Sequence, residues 1–152
     1  MSARPLEKIE IRPLRRGEAS EVARIENEVY AYPWTLGNFI DSLNAGHSCW
    51  ACTVDGVLAG YAVVLVGANE AHLLNISIAA VWQGRGLGSQ LLRHLMQIAR
   101  PDAGIMFLEV RPSNVNAQRL YEREGFQRIA LRPKYYPSFD GREDAIIFAR
   151  NL

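Results

Sequence analysis

A chain of 152 residues is long enough to bury one core and too short for two ordinary domains, so residues 1–152 are read as a single domain. Seventeen basic side chains against sixteen acidic ones leave a net charge of +1, without the basic surplus of a nucleic-acid binder. No apolar run reaches the roughly 18 residues of a membrane span and the first ten residues lack a signal-peptide core, so no membrane partner and a cytoplasmic location are expected.

Residues 8–13 alternate as Lys-Ile-Glu-Ile-Arg-Pro, a short strand stopped by proline. A helix is predicted over 17–30, with Val22, Ile25 and Val29 at helical spacing. Residues 31–34, Ala-Tyr-Pro-Trp, break it, and Thr35 is placed to cap a second short helix carrying Leu36, Phe39, Ile40 and Leu43. Strands over 48–54 and 58–66 flank Asp55-Gly56, a strong hairpin signal. The next strand, 71–79, is nearly continuous in apolar residues and is expected at the centre of the sheet. A glycine-rich turn at 83–88 leads into a helix over 87–99, with Leu91, Leu92, Leu95 and Met96 on one face. A strand over 105–110, a helix over 116–124 ended by Gly125, and closing strands over 126–131 and 145–149 complete the chain. The order is β-α-α-β-β-β-α-β-α-β-β, a mixed α/β sheet.

Cys49 and Cys52 form a C-x-x-C inside a strand, where positions three apart point to opposite faces. Neither a helix N-terminus for a redox pair nor two further ligands for zinc is in view. Two unpaired structural thiols are expected. His47, His72 and His94 are scattered without a metal-ligand pattern, so no metal is predicted.

The turn Gln83-Gly84-Arg85-Gly86-Leu87-Gly88-Ser89 joins a strand to a helix. Free N–H groups at a helix start, aided by the dipole, attract phosphate, and glycine lets a ligand approach the backbone. A P-loop would end in Gly-Lys-Ser/Thr, and a dinucleotide fingerprint would read G-x-G-x-x-G; this turn reads G-x-G-x-G and ends Gly-Ser-Gln. On the turn alone, a glycine-rich connection without a ligand stays open. The run does match Q/R-x-x-G-x-G/A through Gln83, Gly86 and Gly88, the pyrophosphate-binding signature of the GNAT superfamily of N-acetyltransferases.

The chain resembles that superfamily over almost its whole length, and within it the bacterial ribosomal-protein alanine N-acetyltransferases. The resembling stretches are 32–34 (Tyr-Pro-Trp), 74–78 (Leu-Asn-Ile-Ser-Ile), 108–114 (Leu-Glu-Val-Arg-Pro-Ser-Asn), 120–122 (Leu-Tyr-Glu), 135–137 (Tyr-Tyr-Pro) and 141–145 (Gly-Arg-Glu-Asp-Ala). Each is weak singly, and their joint occurrence in order is strong. The resemblance implies a single-domain GNAT fold, a mixed, mostly antiparallel twisted sheet of about seven strands flanked by about four helices. It implies acetyl-CoA as cosubstrate, with the pyrophosphate on Gly84, Arg85, Gly86, Leu87, Gly88 and Ser89. The pantetheine arm would pair with the backbone of Ile76, Ser77 and Ile78 as an added strand would. A bulge or splay there would expose an N–H to the thioester oxygen. Asn114 would add a side-chain contact; it also reads as a plain N-cap, and both can hold.

Acyl transfer to an amine needs a base for the ammonium and an acid for the leaving thiolate. Glu109 stands in the apolar run Phe107-Leu108-Glu109-Val110, where burial would raise its pKa and make it a base near neutrality. A solvated strand residue is the equal alternative without the family match. Tyr121 lies two helical turns after Asn114 and carries a proton at neutral pH; a core tyrosine is the alternative. The resemblance at both positions favours the catalytic roles. Acceptor selection is assigned to Tyr32 and Trp34 and to a loop over 135–144 with Tyr135 and Tyr136. The resembled family acts on the N-terminal alanine of small-subunit ribosomal protein eighteen, so a protein or peptide N-terminus is the expected partner. Glu26, Glu28, Asp140 and Glu143 would suit a basic tail if they line the groove; a solvated face is the other reading. The rivals are the same chemistry on a small-molecule or lysine amine, and a CoA-binding module without turnover.

Overall fold

The computed structural model describes residues 7–139 and 141–152. Its elements are β1 (Ile9–Pro13), α1 (Ala19–Val29), α2 (Leu36–Asn44), β2 (Ser48–Val54), β3 (Val57–Gly67), β4 (Glu70–Ile78), α3 (Leu87–Ala99), β5 (Ile105–Val110), α4 (Val115–Arg123), β6 (Gln127–Ser138) and β7 (Gly141–Asn151). Short 3-10 turns precede α1 at Arg16–Glu18 and follow β4 at Ala80–Trp82. The strands form one 7-stranded sheet in the order β1-β2-β3-β4-β5-β7-β6, with β4 in the middle as expected. Every neighbouring pair is antiparallel except β4 and β5, which are parallel because α3 carries the chain across between them.

The sheet buries a core on each face. One is built on α3: Leu91, Leu92, Leu95, Met96 and Ala99 recur at helical spacing and meet Met106, Leu108, Ile146 and Phe148 of the sheet. Each fully buried leucine contributes about 1.5–3 kcal/mol, and cutting Leu92 to alanine would cost about 2–5 kcal/mol. The other core packs Val22 and Ile25 of α1 and Phe39 of α2 against Ala51, Tyr61 and Val63. Thr35 caps α2 reciprocally: its hydroxyl accepts from the Asn38 N–H at 3.1 Å, and the Asn38 side chain accepts from the Thr35 N–H at 2.9 Å. Cys49 belongs to this second core and Cys52 to the first, so the two free thiols sit on opposite faces. Burial pushes both thiols up, which keeps them inert. Among the described residues no helix is long and apolar enough to cross a membrane.

Two irregularities position the site. In β4, Val63 pairs with Asn75 and Val64 with Leu73, so Leu74 is an extra residue. The bulge reverses the side-chain phase: Ala71 and Leu73 before it, and Ile76 and Ile78 after it, all pack on the α3 core. That is why the apolar run looked continuous. Pairing of β4 with β5 ends at Leu73 and Leu108, so the two strands part just where the bulge lies. Meanwhile β3 stays tight on β4: a Cβ on Gly60 would come within 2.7 Å of the Ser77 carbonyl oxygen.

The second irregularity corrects the sequence reading. Tyr135 and Tyr136 are not on a loop but in β6, which runs to Ser138 and pairs with β7 from Gly141. Between Arg132 and Tyr136 three residues oppose one, and Lys134 takes a positive φ of 52°. Pro133 and Pro137 gave the segment its loop-like look. Both are tolerated because β6 is the edge strand of the sheet.

Candidate active site

Where β4 and β5 part, a cleft of about 890 Å³ opens, lined by Ile76, Ser77, Ile78, Gly84, Gly86, Leu87, Gly88, Ser89, Asn114 and Tyr121, among others. Gly86 is the N-cap of α3 at φ +80°, and Gly84 has the same φ; a Cβ on either would meet nothing within 4 Å. The requirement there is backbone conformation, not crowding. Because α3 starts without a side-chain cap, the N–H groups of Leu87, Gly88 and Ser89 lack intrahelical acceptors beside the cleft, an anion-binding arrangement. The Gln83 side chain donates to the Ile78 carbonyl at 2.9 Å and ties the turn to β4.

Arg85 stands apart. Its guanidinium lies over Trp82 at 4.8 Å and pairs with Glu7 at 3.5 Å, outside the cleft lining. Arg123, which no sequence motif singled out, lines the cleft instead and donates to the Ser89 hydroxyl at 3.2 Å.

Beyond Leu73, β4 is paired only to β3. The Ile76 carbonyl accepts from the Tyr30 hydroxyl at 3.2 Å and the Ile78 carbonyl from Gln83, so both face away from β3. In an antiparallel ladder a residue's N–H and C=O point the same way, so the Ile76 and Ile78 N–H groups face the open edge too.

A second cleft of about 630 Å³ is lined by Glu26, Trp34, Leu74, Asn75, Glu109 and Tyr136 with several neighbours. The two clefts share residues 30–32, Ile76, Arg111, Asn114 and Tyr121 in their walls. Tyr121 is therefore at their junction, 6% exposed, its ring against Phe126 and Phe148. Desolvation pushes its phenol above the ordinary value, so it holds its proton at neutral pH. Asn114 both caps α4, accepting from the Ala117 N–H at 3.2 Å, and lines the two clefts.

Glu109 is not buried as expected. Its side chain is 30% exposed, with an Arg132 guanidinium nitrogen at 3.5 Å. Along β5, Met106, Leu108 and Val110 enter the α3 core, which turns Glu109 to the opposite face and the second cleft. The neighbouring Glu109 carboxylate pushes the Tyr135 phenol above its ordinary value, and desolvation does the same to Tyr136.

Tyr32 and Tyr136 sandwich the Arg111 guanidinium at 4.7 and 4.4 Å, and Arg111 also donates to the Pro137 carbonyl at 2.7 Å. This arginine pins the link before α2 to the β6–β7 hairpin. The sign of its role was one basic residue at the end of an apolar strand, with aromatics on both flanking segments. Trp34 packs on Phe39 and lines the second cleft, whereas Tyr135 lines neither. Of the acids that could have faced a basic tail or solvent, Glu28 pairs with Arg24 on the surface, Glu143 is tied to Arg111 and the Ser113 N–H beside the first cleft, and Asp140 lies outside the described residues. Only Glu26 of that set lines the second cleft.

The parted β4–β5 pair, the glycine turn and the second cleft thus meet at one buried tyrosine. The chain belongs to the acetyltransferase (GNAT) family, whose model matches residues 10–126. It is 39% identical over 126 residues to the [ribosomal protein bS18]-alanine N-acetyltransferase of Escherichia coli K12, covering 82% of this chain and 85% of that one. It is 35% identical over 137 residues to the N-alpha-acetyltransferase RimI of Mycobacterium tuberculosis, covering 86% and 85%. The crystal structure of the Escherichia coli ribosomal-protein-S18-alanine N-acetyltransferase superposes with a TM-score of 0.88 at 35% identity, covering 95% of this chain and 94% of that one.

Proposed function

We propose that this enzyme transfers an acetyl group from acetyl-CoA to the α-amino group of a protein beginning with alanine, the acceptor being small-subunit ribosomal protein eighteen. Glu109 is the base and Tyr121 the acid. The observation that carries the reading is the position of Tyr121 at the junction of the two clefts, with Glu109 lining only the second.

The first cleft fits acetyl-CoA. Free N–H groups after Gly86, with Arg123 beside Ser89, suit a pyrophosphate, and the open edge at Ile76 and Ile78 suits the amides of a pantetheine arm. Bound there, acetyl-CoA supplies an acyl group on a leaving thiolate. The Ile76 N–H on the open edge is a donor for developing oxyanion charge. Tyr121 keeps its hydroxyl proton for the departing sulfur. Glu109, directly or through one water, takes the proton from the amine. The need is modest for an α-amine: with a reference pKa of about 7.7–8.0, roughly a third to a fifth is already free near pH 7.4, against about one lysine amine in a thousand. The names of the relatives support the ribosomal acceptor.

The test is acetyl-CoA turnover, read by mass spectrometry, on an alanine-starting peptide and on its α-blocked, lysine-containing counterpart. Modification of the free α-amine alone is expected. Faster acetylation of the blocked peptide's lysine would overturn the reading in favour of a side-chain or small-molecule amine.

A further inference from the structure

Beneath the point where β4 leaves β5 lies a buried carboxylate with no part in proton transfer as described. Glu26, on α1, is 2% exposed. One of its oxygens accepts from the Tyr61 hydroxyl at 2.7 Å and the other from the Trp34 backbone N–H at 2.9 Å. The Asn75 side-chain amide reaches both at 3.2 Å. The network continues: the Ser77 hydroxyl donates to the Asn75 carbonyl oxygen at 3.0 Å and lies 2.9 Å from the Tyr30 hydroxyl. A carboxylate removed from water is costly unless donors replace the water, and here donors converge on both oxygens.

What those donors belong to is the informative part. Asn75 and Ser77 are the residues that the Leu74 bulge turns away from the α3 core and toward α1. Without an acceptor on α1, the half-buried Asn75 amide would lose its protein partner. Trp34 belongs to the link that walls the acceptor cleft, and Tyr61 to the neighbouring strand β3. Glu26 thus ties together the two segments whose spacing sets the site.

We propose that Glu26 is a positioning residue that holds the bulged end of β4, and with it the open Ile76 edge, against the Trp34 link. The inference rests on the acetyl-transfer reading above for its effect on rate, but not for its effect on local structure. Glu26→Gln keeps the shape and places an amide NH₂ among donors. In that variant kcat should fall about tenfold or more, the scale of a small misplacement of reacting groups. Acetyl-CoA affinity should fall by a smaller factor than kcat, since the glycine turn that suits the pyrophosphate is built elsewhere. The residual rate should keep the wild-type pH midpoints. In the free protein, amide hydrogen exchange should quicken at 34–35 and 73–78 and stay unchanged over α3. Adding Asn75→Asp puts an acceptor opposite the new amide, so the double variant should recover about threefold or more of the lost rate through neighbour coupling.

Three results would overturn the proposal: wild-type rate and exchange in Glu26→Gln; a loss that disappears at high pH, which would make Glu26 a proton acceptor; or faster exchange throughout the chain with no recovery in the double variant, which would make it a general stability residue. If the wild-type protein acetylates no amine, the reading in the previous section fails, and the exchange comparison alone still decides whether Glu26 holds these two segments.

Discussion

The two clefts are made of different material. The one beside the glycine turn presents backbone, in its positive-φ glycines, the uncapped start of α3 and the open edge of β4, with side chains such as Arg123 set among them. The second cleft is bounded by long side chains, among them Trp34, Glu109, Arg111 and Tyr136, held by stacking on Arg111 and by the β6–β7 hairpin. Backbone geometry is indifferent to most substitutions but intolerant of a change in φ. Side-chain walls can be recut one residue at a time. The side-chain walls lie on a link and an edge hairpin, where changes disturb the core least.

The junction between the clefts is where damage should be greatest. Tyr121→Phe and Glu109→Gln should each lower the rate about 10²–10⁴-fold, the usual scale for a lost proton-transfer group. Their pH dependence should differ. Tyr121 has its phenol raised above the ordinary value, so it carries its proton at every workable pH and the Tyr121→Phe loss should be flat from pH 6 to about 9. A base is needed less once the α-amine has shed its own proton above about pH 8, so the Glu109→Gln loss should shrink as pH rises. Rate profiles of the two variants against wild type decide this. A flat Glu109→Gln profile, or no loss at all, would move the base to another group.

Next in size is the backbone cradle. Gly86→Val forces a β-branched residue into φ +80°; such strain is worth about 1–3 kcal/mol, so acetyl-CoA should bind on the order of ten- to a hundredfold more weakly by calorimetry. Gly88→Ala should do far less, because its φ is ordinary and its new Cβ would only touch Leu120 at 3.4 Å. Equal effects at the two positions would mean that crowding, not backbone conformation, governs the turn.

How much of this was legible in the sequence follows the same division. The glycine turn, the helix it opens and the order of all eleven strands and helices could be read because periodicity and glycine spacing are local signals. Asn114 and Tyr121 could be placed on one face because seven residues make two turns. The acceptor side was not readable in the same way. Pro133 and Pro137 imitate a loop inside an edge strand. The exposure of Glu109 depends on which face of β5 it takes and on Arg132, a residue from another strand. The phase change at Leu74, and the burial of Glu26 that goes with it, exist only once β3, β4 and α1 are assembled.

The smallest effect expected is at Trp34, and it is the sharpest test of whether the clefts are independent. The Trp34 backbone N–H is bound to Glu26, so cutting the side chain to alanine removes the ring and leaves the link where it is. The ring's inner side rests on Phe39 at 5.2 Å, and Trp34 lines the second cleft but not the first. An aromatic contact to the first residues of a peptide is worth about 0.5–1.5 kcal/mol, so Trp34→Ala should raise the peptide KM about two- to twelvefold. The acetyl-CoA dissociation constant should not move, and Trp34→Phe should recover part of the loss by restoring an apolar ring against Phe39. If Trp34→Ala instead weakens acetyl-CoA while the peptide KM holds, the ring supports the shared wall at Tyr30 and Tyr32 rather than the peptide. Acceptor choice would then rest on Tyr136 and Arg111, the two wall residues that the β6–β7 hairpin supplies or fixes.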